Sequence, residues 1–136
     1  MSAASDFLEN KVLDHVLTNT AYTSPTTVYL ALFKNDSTNA AANLEAGTLT
    51  DEVGSGVGYT RKAASFAAAS SGAAATNATI QFDAATSDWG TVTHIAIMDA
   101  ETSGNVLFWG ALTASKVVST GDTFQVSSGN LTITLA

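Results

Sequence analysis

Hydrophobic residues recur along this chain in two rhythms, and the change between them marks the fold. Leu8, Val12, Leu13, Val16 and Leu17 follow the three-to-four spacing of a helix with one apolar face. Asp6 can cap it, with Glu9 three residues on as in a capping box, so residues 5–19 are predicted as an N-terminal helix. Tyr22-Thr23-Ser24-Pro25 supplies a turn, after which Thr26 to Phe33 is apolar on both faces and predicts a buried strand. From Asn35 to Gly58 the pattern dissolves, with Leu44, Leu49, Val53 and Val57 as scattered anchors in a long loop at about 35–58. A loop of that length is either used or left mobile.

Tyr59 to Phe66 and Thr76 to Phe82 resume as strands, and the run of alanine, serine and glycine from Ala67 to Ala75 is read as the turn between them. Thr91 to Met98 and Asn105 to Leu112 predict a hairpin closed by Asp99 to Gly104. Strict alternation in its second strand sets Val106, Phe108 and Leu112 against Leu107, Trp109 and Ala111, and places His94 on one face with Val92, Ala96 and Met98. Phe124 and Val126, then Leu131, Ile133 and Leu135, alternate with polar residues across Ser128-Gly129-Asn130 and predict a second hairpin. One helix followed by about seven or eight short strands gives a mainly β single domain over 1–136. The expected architecture for residues 26–136 is an antiparallel β-sandwich or flattened barrel.

A chain of 136 residues removes roughly two thirds of its unfolded surface from water, enough for a core without staples. It has no cysteine, so disulfides and thiolate metal sites are excluded. Twelve acidic against five basic residues leave a net charge of −7, which repels a phosphate backbone and argues against a nucleic-acid partner. Arg61-Lys62, the one basic pair, reads as a solvated strand face. The beginning of the chain lacks a basic region followed by an apolar run, and no stretch approaches the ~18 apolar residues of a membrane span. Synthesis in the cytoplasm without membrane association is expected. The three sequons at Asn35, Asn77 and Asn130 then read as chance matches in an Asn, Thr and Ser-rich chain.

Chemistry is thin. A nucleophile needs a base and a group to orient it, and the two histidines, His15 and His94, lie in different predicted elements. They also lack metal-ligand spacing. Asp99, Glu101 and Asn105 could offer hard oxygen ligands to calcium but lack EF-hand spacing, and a polar turn accounts for them; Asp51-Glu52 has the same standing. Gly54 to Gly58 is glycine-rich, yet no helix follows to aim amides at a phosphate. No enzyme activity, cofactor or metal is expected.

Phe7 to Leu17, Val28 to Phe33, Gly58-Tyr59-Thr60-Arg61, Asp88 to His94 and Gly121-Asp122-Thr123-Phe124 together resemble a family of small tailed-phage virion proteins. Such proteins are often labelled tail fibre proteins, and the resemblance also suggests capsid decoration, or cement, proteins. It implies a non-enzymatic virion structural protein with no catalytic residues to carry over. A compact chain without repeats favours a cement over a fibre shaft. The expectation is therefore a homo-oligomer, a trimer or dimer, that binds the major capsid protein on the outer capsid surface. A tail fibre or a receptor- or carbohydrate-binding tail module, with Tyr22, Tyr59, Trp89 and Trp109 available to stack on sugars, is the alternative. A sugar site would leave Trp89 exposed beside acids. Candidate partner contacts are Leu8, Val12 and Leu13 on the helix, Leu44 and Leu49 in the loop, and Leu107 and Trp109 on the two-sided strand.

Overall fold

The computed structural model describes residues 2–135. Its elements are β1 (Ala3–Ala4), α1 (Asp6–Leu17), β2 (Val28–Phe33), α2 (Ala40–Glu45), β3 (Lys62–Ala64), β4 (Ala73–Ala75), β5 (Ile80–Gln81), β6 (Gly90–Met98), β7 (Val106–Val118), β8 (Gln125–Val126) and β9 (Thr132–Thr134). The fold is mainly β with one N-terminal helix, as its alternation implies, but the strands do not close into one sandwich or barrel. Five form an antiparallel sheet in the order β1-β7-β6-β2-β3, and the rest pair as two short ribbons, β4-β9 and β5-β8.

β2 and β6 are central, which is why both are apolar on both faces. Leu30 sits opposite Ile97 and Ala31 opposite Ala96. Leu30, Leu32, Ile97 and Leu107 join a cluster that α1 completes through Leu8 and the β5-β8 ribbon through the flanking Phe82 and Phe124, with Ile133 of β9 packed against it. On the other face Ala31, Phe33, Ala96, Met98 and Val106 pack beneath Leu44 of α2. Each buried Leu or Phe contributes about 1.5–3 kcal/mol relative to exposure.

Local irregularities decide where several side chains go. Between Ile97↔Phe108 and Met98↔Val106 the register slips by one residue. This bulge turns Leu107 and Phe108 toward the same cluster, breaking the alternation expected across β7. A larger slip separates Val92↔Lys116 from His94↔Ala111. Val92 therefore packs in the first cluster while Ala96 and Met98 pack in the second, and the shared face expected for Val92, His94, Ala96 and Met98 does not form.

Other expectations need correction. Ser5, not Asp6, caps α1: its hydroxyl accepts from the Leu8 amide and donates to the Val106 carbonyl, joining the helix start to β7. The alanine run is not only a turn, because Ala73–Ala75 forms β4 against Thr132–Thr134. Consequently the two last strands do not form a hairpin with each other; β8 pairs with β5 and β9 with β4. Alternation identifies strands, and it carries no information on which strand lies alongside.

The long loop is ordered by its own polar residues. Asp51, itself buried, accepts from the Ser37 amide at 2.9 Å, the Ser37 hydroxyl at 2.6 Å and Asn43 Nδ2 at 3.4 Å. These bonds hold its carboxyl below the usual range, the Ser37 hydroxyl contributing most. Its backbone carbonyl accepts from Lys34, and Val53 donates to Leu32, so the segment closes onto the end of β2. A group whose folded pKa is depressed contributes stability above its unfolded pKa and loses it as pH falls through the folded value. The stability gap between wild type and Asp51→Asn is thus expected to shrink below about pH 4, the ordinary aspartate range. Denaturant melts at pH 7 and pH 3 test this, and a gap that stays constant would remove Asp51 from the loop's support.

Candidate functional site

The polar clusters are structural in their geometry. Arg61, only 3% exposed at its side chain, is not on a solvated face: it pairs with Glu52 through Nε and Nη2 at 2.9 and 2.7 Å. Its Nη1 donates to the carbonyls of Ala100 and Ser103 at 2.8 and 2.7 Å. Beside it the Tyr59 hydroxyl accepts from the Leu32 amide at 3.0 Å, and burial, aided by the Glu52 charge, pushes this phenol's pKa up. Asp99, read as a possible calcium ligand, instead accepts from the amide and side chain of Asn105. Gly104 has a φ of +75°, and a Cβ there would lie 2.5 Å from Asp99 Oδ1, so this tight polar turn requires glycine.

Neither histidine has a catalytic setting. His15 Nδ1 accepts from the Tyr22 amide, turning the chain back after α1. His94 lies near Thr93, with Nδ1 2.7 Å from its hydroxyl, and its ring faces Trp109 at 6.4 Å. Burial lowers its pKa, partly opposed by Asp51. Among the described residues one carboxylate cluster gathers, Asp6, Glu9 and Glu45, within 4.8 Å of one another. Its sequence signal was invisible because α1 and α2 are separated by β2. Glu45 is already engaged, accepting from Trp109 Nε1 at 2.6 Å. No helix among the described residues is long and apolar enough to cross a membrane.

The aromatics proposed for stacking are mostly spent on the core. Trp89 is 2% exposed, and its Nε1 donates to the Val57 carbonyl at 2.8 Å. Its ring meets Tyr59 and Phe82 edge-on at 5.5 and 6.2 Å. The exposed Trp89 that a sugar site there would require is absent. Trp109 is half-buried between His94 and Glu45. Its replacement by alanine is accordingly expected to cost about 2 kcal/mol, below the ~3–5 kcal/mol of a fully buried tryptophan. A thermal melt of the variant measures it, and a loss in the upper range would mean the ring carries core packing.

The candidate contact residues divide. Leu8, Leu44 and Leu107 are buried within this chain and pack in its own clusters. Val12 and Leu49 are half-buried, and Leu13 is exposed. The structure does not gather them into one site: Leu44, Leu49 and Trp109 lie on the α2 side of the sheet, the others on the α1 side. Sequence reasoning included Val16 and Leu17 in the helix pattern but not among the contacts, although they are among the most exposed large apolar residues.

A small β fold whose described polar clusters hold loops, with apolar side chains on α1 remaining outside, fits the class of binding and assembly proteins. Within that class the chain is a member of the family described as podophage GP4 fiber I protein gp80, whose model matches residues 3–134. It is a non-enzymatic phage virion structural protein. A search of curated proteins finds no match to the chain.

Proposed function

We propose that this chain is a building unit of a phage fibre, working as a homo-oligomer and acting through surfaces instead of a reactive pocket. The observation that carries this reading is the family match, which runs through nearly every element from β1 to β9. The fold supports a particular place in the fibre. Among the described residues there is neither a repeating unit nor an elongated shaft, which suits a joint or head unit packed against its copies. The family description favours the fibre over the capsid-decoration expectation, in which the major capsid protein would be the partner. Multivalent display on a fibre also makes weak single contacts effective.

Labelling virions with an antibody to this protein and imaging them by electron microscopy tests the assignment. Label is expected on fibres attached to the tail. Label distributed over the shell would return the decoration reading, and unlabelled virions would remove both.

A further inference from the structure

The fold leaves two apolar features uncovered, and they adjoin. The outward face of α1 carries Leu13, Val16 and Leu17, which are 54%, 69% and 72% exposed and spaced three and one residues apart along a single stripe. Beside it runs a groove of about 680 Å³ between α1 and Leu135. Leu135, itself 54% exposed, also rims an apolar cavity of about 360 Å³ floored by Ile133, Phe66 and Ala73. The patch is therefore continuous through Leu135, and among the described residues Glu9 is the one charged residue lining either hollow.

We propose that this patch is the interface with a second copy of the chain, α1 against α1, each copy seating Leu13 and Leu17 over the groove beside the other's Leu135. The inference rests on the homo-oligomer reading above and names its surface. Ridge and groove occur on the same face, which is what a self-complementary contact needs, because one symmetry operation fills both at once. Size agrees. A 12-residue helix is about 18 Å long and about 10 Å wide, and with the groove alongside it offers an apolar area on the order of 400 Å². That is the buried core of a standard interface of about 800 Å² per partner, rimmed by polar residues such as Ser2, Asn10 and Thr134. Charge opposes the contact at one end: Glu9 lines the groove and gathers with Asp6 and Glu45 within 4.8 Å at the start of α1, so association draws on the apolar half of the helix from Leu13 to Leu17 and strengthens as salt screens these carboxylates.

The test is sedimentation velocity over a concentration series at low and high salt, on wild type, Leu13→Asp and Leu17→Asp. Wild type is expected to associate, more strongly as salt screens the net charge. Each aspartate is expected to weaken association by roughly tenfold or more with the circular dichroism of the fold retained, since both sites are exposed. Because the chain has no cysteine, Leu17→Cys supplies a single thiol. It is expected to cross-link copies with a short bifunctional reagent where Ser55→Cys, in an exposed loop, does not. This readout stands even if an aspartate variant misfolds. Oligomers that persist in both aspartate variants, without cross-linking at Leu17→Cys, would overturn this patch while keeping the homo-oligomer. A wild type that stays monomeric would overturn both, and the virion-labelling result would still decide the fibre assignment.

Discussion

Arg61→Ala is expected to lower stability by about 3–5 kcal/mol, the cost of breaking a buried ion pair by removing one partner. The guanidinium ties three stretches far apart in sequence. Nε and Nη2 hold Glu52 at the end of the long loop, and Nη1 holds the Ala100 and Ser103 carbonyls in the β6-β7 turn. Alanine would leave the Glu52 carboxylate, 17% exposed, with the Tyr59 hydroxyl at 3.4 Å as its one close neighbour, and strip a donor from both carbonyls. Arg61→Lys is expected to recover little, since one ammonium cannot reproduce a planar fork facing a carboxylate and two carbonyls. The double change Arg61→Met with Glu52→Leu should be milder than either single change, because no charge is then left buried alone. The measurement is the urea midpoint at unchanged slope. A loss under 1 kcal/mol for Arg61→Ala would show that water replaces the guanidinium freely and that the turn is not held by it.

This clamp illustrates what the sequence does and does not disclose. An Arg-Lys pair in a strand is ordinarily solvated, and Lys62 does lie at the surface with Asp83 as its partner. Arg61 differs because the loop from Asn35 to Gly58 folds back and brings Glu52 to it, a long-range event that local periodicity cannot encode. The central strands were legible for the opposite reason. β2 and β6 are buried on both faces, so their composition alone marks them, and the β6-β7 hairpin follows from its turn. The pairing of β4 with β9 joins segments nearly sixty residues apart, and an alanine-rich run with no β-branched residue offers little strand propensity.

The proposed interaction surface was half legible. A helical stripe from Leu8 to Leu17 was plain, but periodicity could not tell its buried side from its exposed one. Only the docking of α1 on β7 through Leu8 and Ser5 leaves Leu13, Val16 and Leu17 outside. Leu107 went the other way. The strand was expected to offer it to a partner, and the bulge beside Phe108 turned it into the core.

Trp89→Ala should rank with the most damaging single changes in the chain, at about 3–5 kcal/mol. The indole packs on Tyr59 and Phe82 in a ring cluster in which Phe82 also meets Tyr59 at 6.0 Å and Phe124 at 5.8 Å. It therefore braces β6 against both the long loop and the β5-β8 ribbon, and alanine opens a cavity beneath all three. Its N–H also anchors the Val57 carbonyl just before Gly58. That glycine adopts a φ of +83°, and a Cβ there would meet the Ala84 carbonyl at 3.0 Å, so the close approach at this turn requires glycine. Trp89→Phe separates the two contributions. It keeps most of the ring volume and leaves the carbonyl without the indole donor, with an expected cost of about 1–3 kcal/mol for that group. Thermal and denaturant unfolding of both variants measure the difference. Equal losses would place the whole effect in the hydrogen bond, whereas a much larger loss for alanine would show that the aromatic packing holds the loop, ribbon and sheet together.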